Sequence, residues 1–485
     1  MSRDWRDDRI AELEQLLKAA LERIAAQEAR IAELEEKLRV SSRNSGKPPS
    51  SDSPGQQAER KKKAARITRP RKGRKPGGQP GHQKFSRPLV PAGEVARHHD
   101  CVPEQCARCQ ARLSGEDPEP RLHQVFHLPE VRPWVEQFAL HRRRCECGHV
   151  TCGKLPDGVP SGAFGPSVVA TVTLLMGVCR LGKRKVQQLM SDLFGLDMSL
   201  GAVIGCQELG SEAVAAPVDD AKDFVRTARA GVRHSDETSW REGPKRLKVW
   251  LWTAVTDTVT VFSIQRERSA QAATDLLGTS EAPLVSDRYS SYGFWALWAR
   301  QVCWAHLIRD FVAIAERGTE SKRLGDGLLD EARRLFGWYH RVRDGTLKRS
   351  TFQIYAREVR KRVRHLLQQG QTCAQKKTAR TCAQILKVEP ALWLFLERED
   401  VPPTNNAAEQ ALRHAVLWRK LSGGTHSELG SRFVERILTV VATLRRQERH
   451  VLTFLKAACQ AHLAGEQSPS LLERSPSEPQ LAHAA

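Results

Sequence analysis

The 485-residue sequence lacks any apolar run that approaches the ~18–20 residues of a membrane-spanning helix. It also lacks a secretory signal at its start, because MSRDWRDD carries acids where such a signal is basic and then apolar. Acidic residues are scarce beside basic ones, 56 against 77. We therefore expect a soluble, cytoplasmic protein with no membrane partner.

The shortage of acids leaves a formal net charge of +21 and a pI near 9.7. A charge this large indicates a polyanionic partner, of which nucleic acid is the commonest and an anionic membrane surface is the rival. The length exceeds what one compact core accommodates. The chain is thus expected to be a multidomain protein that binds DNA.

Isoleucine or leucine recurs at strict intervals of seven near the start, at Ile10, Leu17, Ile24, Ile31 and Leu38. Glu and Arg crowd the flanks of this seam. The pattern predicts a coiled coil over residues 1–40 that joins protomers into a homodimer or a higher oligomer. The alternative is a single amphipathic helix that folds back on its own domain.

A strongly basic stretch follows RVSSRNSGKPPSSDSPGQQ, and ten of its sixteen residues, 60–75, are Lys or Arg. Neither stretch has apolar periodicity, which predicts a disordered arm over residues 41–95. Such an arm can neutralise DNA phosphates without folding, and a solvated linker is the alternative. The candidate phosphate contacts in the arm are Arg60, Lys61, Lys62, Lys63, Arg71, Lys72, Arg74 and Lys75.

Twelve cysteines in a cytosolic chain favour metal binding or buried thiols over disulfides. Two close pairs stand out, Cys106 with Cys109 and Cys145 with Cys147, separated by strand-like sequence. They predict a structural four-thiolate Zn²⁺ site in a module over residues 96–155. The second pair has one intervening residue instead of two, and buried free thiols are the alternative.

Residues 160–218 show apolar residues at helical spacing, interrupted at Gly195 and resumed after Ser199, which can cap a second helix. This pattern predicts a helical DNA-binding domain, with a helix-turn-helix or an ordinary bundle as equal possibilities. The candidate phosphate contacts are Lys183, Arg184 and Lys185.

The period then changes to that of strands, in KRLKVWLWTAVT, TVTVFSIQ and PLVSDRY, and an α/β layer architecture follows. A further strand, VRHSDETSW, precedes these three and is the first. We expect Asp236 to close this first strand and Asp287 to close the fourth, PLVSDRY. A carboxylate at the end of an apolar strand is least costly when a divalent cation shares the site. Glu409, early in the helix that TNNAAEQALR begins, could supply a third ligand for two Mg²⁺ ions. The alternative is an ordinary surface pair of Glu409 with Arg413.

HSDETSWR, SDRYSSY, CWAHLIRDF and TNNAAEQALR, in this order, resemble the motifs of bacterial insertion-sequence transposases of family sixty-six. The N-terminal seam, NSGKPPSSD, GGQPGH and the cysteine pairs resemble the front half of that family. The resemblance thus covers nearly the whole chain. It implies a ribonuclease-H-like catalytic core over residues 219–315 and 400–465, a helical insertion over 316–399 and a disordered tail over 466–485.

The resemblance also implies a DDE transposase, in which Asp236, Asp287 and Glu409 bind two catalytic Mg²⁺ ions. Such an enzyme cleaves the ends of its element and joins them to double-stranded target DNA, and accessory proteins of the same element are possible partners. One rival is a non-enzymatic or decayed DNA-binding regulator. A plain metal-dependent endonuclease is the other.

Several neighbours of these motifs have open roles. Arg288 follows the second Asp where a smaller residue is expected, and it could tune the site or bind a phosphate. Glu237 should point to the opposite face of the strand from Asp236. Trp304 and His306 form a core pair or contact DNA near the site. The remaining candidate phosphate contacts are Arg413, Arg419 and Lys420. An equally suitable interpretation is that they form a solvated helix face.

Overall fold

The computed structural model describes residues 5–45, 52–53, 55–58 and 87–472. The candidate contacts in the basic arm, from Arg60 to Lys75, lie outside the described residues, as do GGQPGH and residues 473–485. None of the helices within the described ranges combines the length and hydrophobicity needed to cross a membrane.

The described chain is a mixed α/β protein, as expected. Its α-helices are α1 (Trp5–Arg39), α2 (Pro166–Gly177), α3 (Lys183–Phe194), α4 (Leu200–Ala213), α5 (Ala215–Arg226), α6 (Ala270–Leu277), α7 (Trp304–Ala315), α8 (Thr319–Arg343), α9 (Arg349–Gln371), α10 (Lys376–Leu386), α11 (Leu394–Glu397), α12 (Asn406–Ser422), α13 (Glu428–Arg446) and α14 (Val451–Ala464). Its strands are β1 (Arg142–Arg144), β2 (Val150–Cys152), β3 (Arg233–Glu242), β4 (Leu247–Val255), β5 (Thr260–Gln265), β6 (Leu284–Ser286) and β7 (Arg300–Val302).

The N-terminal helix α1 carries its apolar seam on the surface. Leu13, Leu17, Ile24 and Ile31 are each at least 50% exposed. A helix folded back on its own domain would bury these side chains, so that alternative does not hold. The predicted pairing of this seam between protomers stays a prediction.

The segment that follows α1 donates hydrogen bonds to two acidic side chains. The Ser42 backbone N–H and hydroxyl both donate to Asp52, each at 2.6 Å. Glu316, just beyond α7, accepts from Arg43 at 2.6 Å and from Asn44 at 2.7 Å. Asp52 and Glu316 thus satisfy polar groups of residues 42–44, and the disorder predicted for the arm stays a prediction.

The cysteine-containing module has little regular structure. β1 and β2 form an antiparallel pair, and Gln105 bridges Arg112. The strand-like sequence between the cysteine pairs forms no strand at residues 120–140, and its Trp134 and Val135 are 78% and 88% exposed. Its apolar residues have neither a pairing strand nor a core in the described chain, which is why propensity alone misled the prediction.

Helices α3 and α4 meet at the turn that the sequence predicts. Gly195 ends α3 in the left-handed conformation with φ of +62°, and Ser199 caps α4 by accepting from Ala202 N–H. Helix α2 crosses α4 closely at Gly210. A Cβ atom added at Gly210 would lie 2.0 Å from the Thr173 hydroxyl of α2. The pair is thus built into a bundle.

The central sheet has the order β5-β4-β3-β6-β7. β3, β4 and β5 are antiparallel neighbours, whereas β6 is parallel to β3 and β7 is parallel to β6. Two hydrophobic cores contact it. One contains residues of β3 to β5 with α2 to α6 and α12 to α14, and the other contains residues of β6 and β7 with α7 to α11. Leu251 and Trp252 of β4 face opposite sides of the sheet and both belong to the first core, so that core covers both faces of the antiparallel strands.

The position of Asp236 differs from the prediction. It lies inside β3, paired opposite Thr253 of β4, because the hairpin of β3 and β4 continues to Glu242. The neighbouring strand β6 stops at Ser286, so Asp287 is the first residue beyond it, as predicted. Arg233 pairs with Leu284 and His234 with Val285, and the same register continued places Asp236 level with Asp287.

The outer strand β5 is covered by helix α13. Phe262 N–H donates to the Thr439 hydroxyl and Thr260 N–H to that of Thr443, each at 3.0 Å, while Ile264 N–H donates to Glu435. Side chains of a helix thus satisfy backbone groups that an edge strand leaves open. The arrangement fixes α13, and the loop from α12 to α13, against the sheet.

Candidate active site

Asp236, Asp287 and Glu409 lie near the end of β6, although among the described residues their carboxylate oxygens are not all within 4.8 Å of one another. Asp236 accepts a hydrogen bond from Glu237 N–H at 2.9 Å, and Asp287 accepts one from Tyr289 N–H at 2.8 Å. Burial raises the pKa of Asp236 well above its ordinary value, and the charges of Glu237, Asp287 and Glu409 raise it further. Asp236 is therefore held among carboxylates that oppose its ionisation in the absence of a cation.

Asn405 brings Glu409 to this position. Its side-chain amide donates to the Ser235 carbonyl of β3 at 2.8 Å, and its backbone N–H donates to Cys303 Sγ at 3.2 Å. The side chain makes no helix cap, because it is used to fasten the start of α12 to β3. Glu409 follows in the first turn of α12, with its side chain 31% exposed.

Glu237 is a fourth carboxylate beside the site, and its side chain has no exposure. Arg268 Nε donates to Glu237 Oε1 at 2.6 Å, and the Tyr292 hydroxyl donates to Oε2 at 2.6 Å. Burial raises the pKa of Glu237, and these two donors oppose that rise. Both donors satisfy the buried carboxyl group, which argues for a structural role.

The same partners reach the loop that carries Asp287. The Arg268 guanidinium lies 3.6 Å from the centre of the Tyr289 ring, and the Tyr289 hydroxyl donates to the Arg268 carbonyl at 3.2 Å. Tyr289 N–H in turn holds Asp287. Sequence reasoning missed Arg268 and Tyr292. Arg268 lies in a connecting loop, where no sequence pattern marks it as functional. The only indication was Glu237, a second acid next to Asp236 that would need a basic partner if buried.

Arg288 has a partner within the protein. It forms a 2.6 Å ion pair with Asp310 of α7 and donates to Gln384 of α10 at 3.4 Å. Its side chain is 20% exposed. These contacts connect the Asp287 loop to the helices that follow the sheet, and they give Arg288 a structural role.

Trp304 and His306 prove to have different surroundings. Trp304 is fully buried and donates from Nε1 to the Leu392 carbonyl at 2.8 Å, so its core assignment is confirmed. His306 instead faces the site, with Nδ1 3.7 Å from Glu409 Oε1. Ligand atoms of Cys303, His306 and Glu409 lie within 4.8 Å of one another, a group that sequence reasoning did not single out.

A comparison with known protein families identifies the family of the chain. The family described as "Transposase IS66 family" matches residues 161–432, more than half of the chain. The chain belongs to this transposase family. The resemblance carried by the motifs is thus confirmed, and Asp236, Asp287 and Glu409 fall inside the matched range. A family of unknown function (DUF6444) matches residues 2–88, and no curated protein matches the chain.

The cysteine pairs of this transposase each form a tight turn. Hydrogen bonds from the backbone of Cys109 and Arg108 lower the pKa of Cys106, and that of Cys147 lowers the pKa of Cys145. Such N–H groups suit thiolates. In the described range that holds all four cysteines, no three of their sulfurs lie within 4.8 Å of one another. The shared Zn²⁺ site stays a prediction.

The predicted phosphate contacts within the described residues divide into two groups. Arg184, Lys185, Arg413 and Lys420 are exposed and Lys183 is partly so. Arg419 instead donates to the Thr238 and Ser239 hydroxyls at 3.0 and 2.8 Å, which fixes α12 to β3. The structure therefore gives Arg419 a structural role.

A basic cluster connects the two exposed regions. Arg180, which precedes α3, lies 3.3 Å from His414 of α12. Burial lowers the pKa of His414, and the charges of Arg445, Arg180 and Arg413 lower it further. Positive charge thus accumulates on the α12 surface within two turns of Glu409.

The Glu237 network yields a prediction about stability. We expect Tyr292→Phe to lower the free energy of unfolding by about 1–3 kcal/mol, because it leaves Glu237 Oε2 buried without a donor. Denaturant unfolding measures this loss. Tyr355→Phe, at an exposed position of α9, is the matched control and should change the free energy by less than about 0.5 kcal/mol. An equal effect of the two changes would contradict the role of the network.

Proposed function

We propose that this IS66-family transposase is a DDE enzyme that cleaves DNA at the ends of its element and transfers the strands into target DNA. Membership of the family supports a DNA-processing enzyme in general. The observation that supports the specific proposal is the register of β3 and β6, which when continued brings Asp236 level with Asp287, together with the charges of Asp287 and Glu409 that act on Asp236. A regulator that only binds DNA has no reason to gather three acids.

The order of strands supports a ribonuclease-H-like core. Three antiparallel strands are followed by a helix and then by two strands parallel to the first, with the acids on the first strand, after the fourth and on a later helix. The helices α8 to α11 separate the second acid from the third. We infer that residues 316–399 are an insertion in this core.

The three carboxylates suit Mg²⁺, since hard divalent cations prefer oxygen ligands and the charges around Asp236 that its pKa reflects are acidic. Two bound Mg²⁺ ions would supply the positive charge that activates an attacking oxygen and stabilises the leaving one. Asp236 is held within β3, Asp287 is held by the loop that follows β6, and Glu409 comes from the first turn of α12. In hydrolysis, water oxygen bonds to phosphorus and the bond to the 3′ oxygen breaks. The freed 3′-hydroxyl oxygen then bonds to a target phosphorus, and the bond from that phosphorus to its own 3′ oxygen breaks, which leaves a 3′-hydroxyl on the target strand.

The remaining modules fit DNA binding and assembly. We infer that Arg184, Lys185, Arg413 and Lys420, with the basic arm, neutralise phosphates of double-stranded DNA. The exposed seam of α1 would pair two protomers, and with them two element ends. The two cysteine turns would hold a structural Zn²⁺ ion if they approach each other.

The decisive test uses Glu409→Gln, which removes one carboxylate charge but keeps the size of the side chain. Purified protein is incubated with Mg²⁺ and labelled DNA that carries the native element's ends. We expect the wild type to nick and join this DNA, and the variant to bind it while losing at least about 10²-fold in cleavage rate.

Glu428→Gln is the matched control, because Glu428 also lies in the first turn of a helix but has an exposed side chain that pairs with Arg432 instead of facing the acids. It should cleave like the wild type. Nicking without joining by the wild type would favour the plain endonuclease. Cleavage by Glu409→Gln at the wild-type rate would overturn the proposed role.

The raised pKa of Asp236 predicts a link between pH, Mg²⁺ and stability. An acid whose pKa is raised by folding contributes stability below its ordinary value of 3.8, and this is lost as the pH rises through the raised value. The metal-free protein should therefore lose stability over that range, and Mg²⁺ should restore about 2.7 kcal/mol at 100 times its dissociation constant.

Asp236→Asn removes the charge, so it should stabilise the metal-free protein at neutral pH and abolish the Mg²⁺-dependent rise. Thermal unfolding with and without Mg²⁺ measures both effects. Asp275→Asn, at a helix position outside the site, is the control and should retain the Mg²⁺ effect. An undiminished Mg²⁺ effect in Asp236→Asn would exclude Asp236 as a ligand.

A further inference from the structure

His306 and Glu409 face each other with unsatisfied polar atoms. His306 lies in the first turn of α7, and its Nδ1 is 3.7 Å from Oε1 of Glu409 in the first turn of α12. Both atoms are shielded from solvent, and neither has a hydrogen-bond partner in the described structure. Buried polar atoms are costly when unpaired, so a rotation of either side chain that joins them is favourable.

Arg309 determines which ring nitrogen of His306 carries the proton. Its guanidinium Nη1 lies 3.3 Å from His306 Nε2, one helical turn along α7. A guanidinium can only donate, so Nε2 must accept and the proton must reside on Nδ1. The N–H of His306 therefore points at Glu409.

A metal ion between Cys303, His306 and Glu409 would use the same atoms differently. Such an ion needs a lone pair on Nδ1, but Arg309 assigns a proton to that nitrogen. It also needs a thiolate, whereas burial raises the pKa of Cys303 and its sulfur already accepts from Asn405 N–H at 3.2 Å. A donor and an acceptor account for the contact better than three ligands do.

We propose that His306 is a positioning residue for Glu409, donating from Nδ1–H to Oε1 while Arg309 fixes the tautomer. The inference rests on the metal-ligand role proposed above for Glu409. With Oε1 held by His306, the carboxylate has one orientation, and Oε2 is directed to the site shared with Asp236 and Asp287. Without the donor, the side chain is free to rotate away from the two aspartates.

Three substitutions separate this role from simple packing. An Asn amide nitrogen lies as many bonds from the backbone as Nδ1 of histidine, whereas a Gln amide nitrogen corresponds to Nε2. His306→Asn therefore keeps the proposed donor, His306→Gln displaces it and His306→Ala removes it. His365→Ala, at an exposed position of α9, is the matched control.

The measurement is the Mg²⁺ concentration that gives half-maximal cleavage of element-end DNA. Loss of a partner that orients a metal ligand typically costs about 10–100-fold in metal affinity. We expect a rise of at least about 10-fold in His306→Ala and His306→Gln. His306→Asn should stay within about 3-fold of the wild type, since it retains the donor. An unchanged Mg²⁺ response in His306→Ala, or equal responses of the Asn and Gln variants, overturns the proposal.

Arg309→Met provides a second test that leaves the ring in place, should His306→Ala fail to fold. It should raise the half-maximal Mg²⁺ concentration, because the ring can then adopt the other tautomer, and an unchanged value contradicts the proposal.

Glu409→Gln is assayed in parallel. If it cleaves normally, the role of Glu409 fails, whereas if it is inactive while His306→Ala behaves as wild type, the positioning role alone fails. Loss of one bound Zn²⁺ equivalent in both Cys303→Ser and His306→Ala would favour the metal site instead.

Discussion

The parallel pairing of β3 with β6 is the constraint on which the candidate site depends. Two parallel strands in register bring residues far apart in sequence to the same level, and here they do so for Asp236 and Asp287. Because β6 is short and β3 is long, the first aspartate lies within a strand while the second begins a loop. One acid is thus fixed by the sheet, and the other depends on its loop.

The loop is held by contacts on both sides. Arg268, anchored on the buried Glu237, packs against the Tyr289 ring, and Tyr289 N–H holds Asp287. On the other side Arg288 pairs with Asp310 of α7. The helix that carries His306 therefore also supports the second aspartate, and α7 contacts both the Asp287 loop and Glu409. Negative charge gathered in this way opposes folding unless a cation binds, which is a common cost of a preorganised site.

Much of this arrangement was predictable from local signals. Local patterns predicted the helix before Gly195, the helix capped at Ser199 and the Val- and Trp-rich strands. In each case the intrinsic propensity of the residues agrees with how they pack. The family resemblance selected Asp236, Asp287 and Glu409 from 56 acidic residues. Local sequence could not predict that β3 continues past Asp236, since its length is set by pairing with β4.

The failures share a physical origin in long-range contacts. Strand structure was expected between the cysteine pairs, but only Arg142–Arg144 forms a strand there, because residues 120–140 have no strand to pair with. Sequence periodicity also does not predict contacts between single side chains. Arg268 and Tyr292 bond to Glu237, which is tens of positions away, and Arg309 contacts the ring of His306.

Cleavage of the protein by hydroxyl radicals generated at a bound Fe²⁺ ion would test the convergence of the three acids most directly. Fe²⁺ takes the place of Mg²⁺, and ascorbate with peroxide then cuts the backbone close to the ion. The account predicts cuts near residues 236, 287 and 409 in the same protein, all suppressed by excess Mg²⁺. Cuts that omit any of these three segments, or that persist in excess Mg²⁺, would contradict a shared metal site.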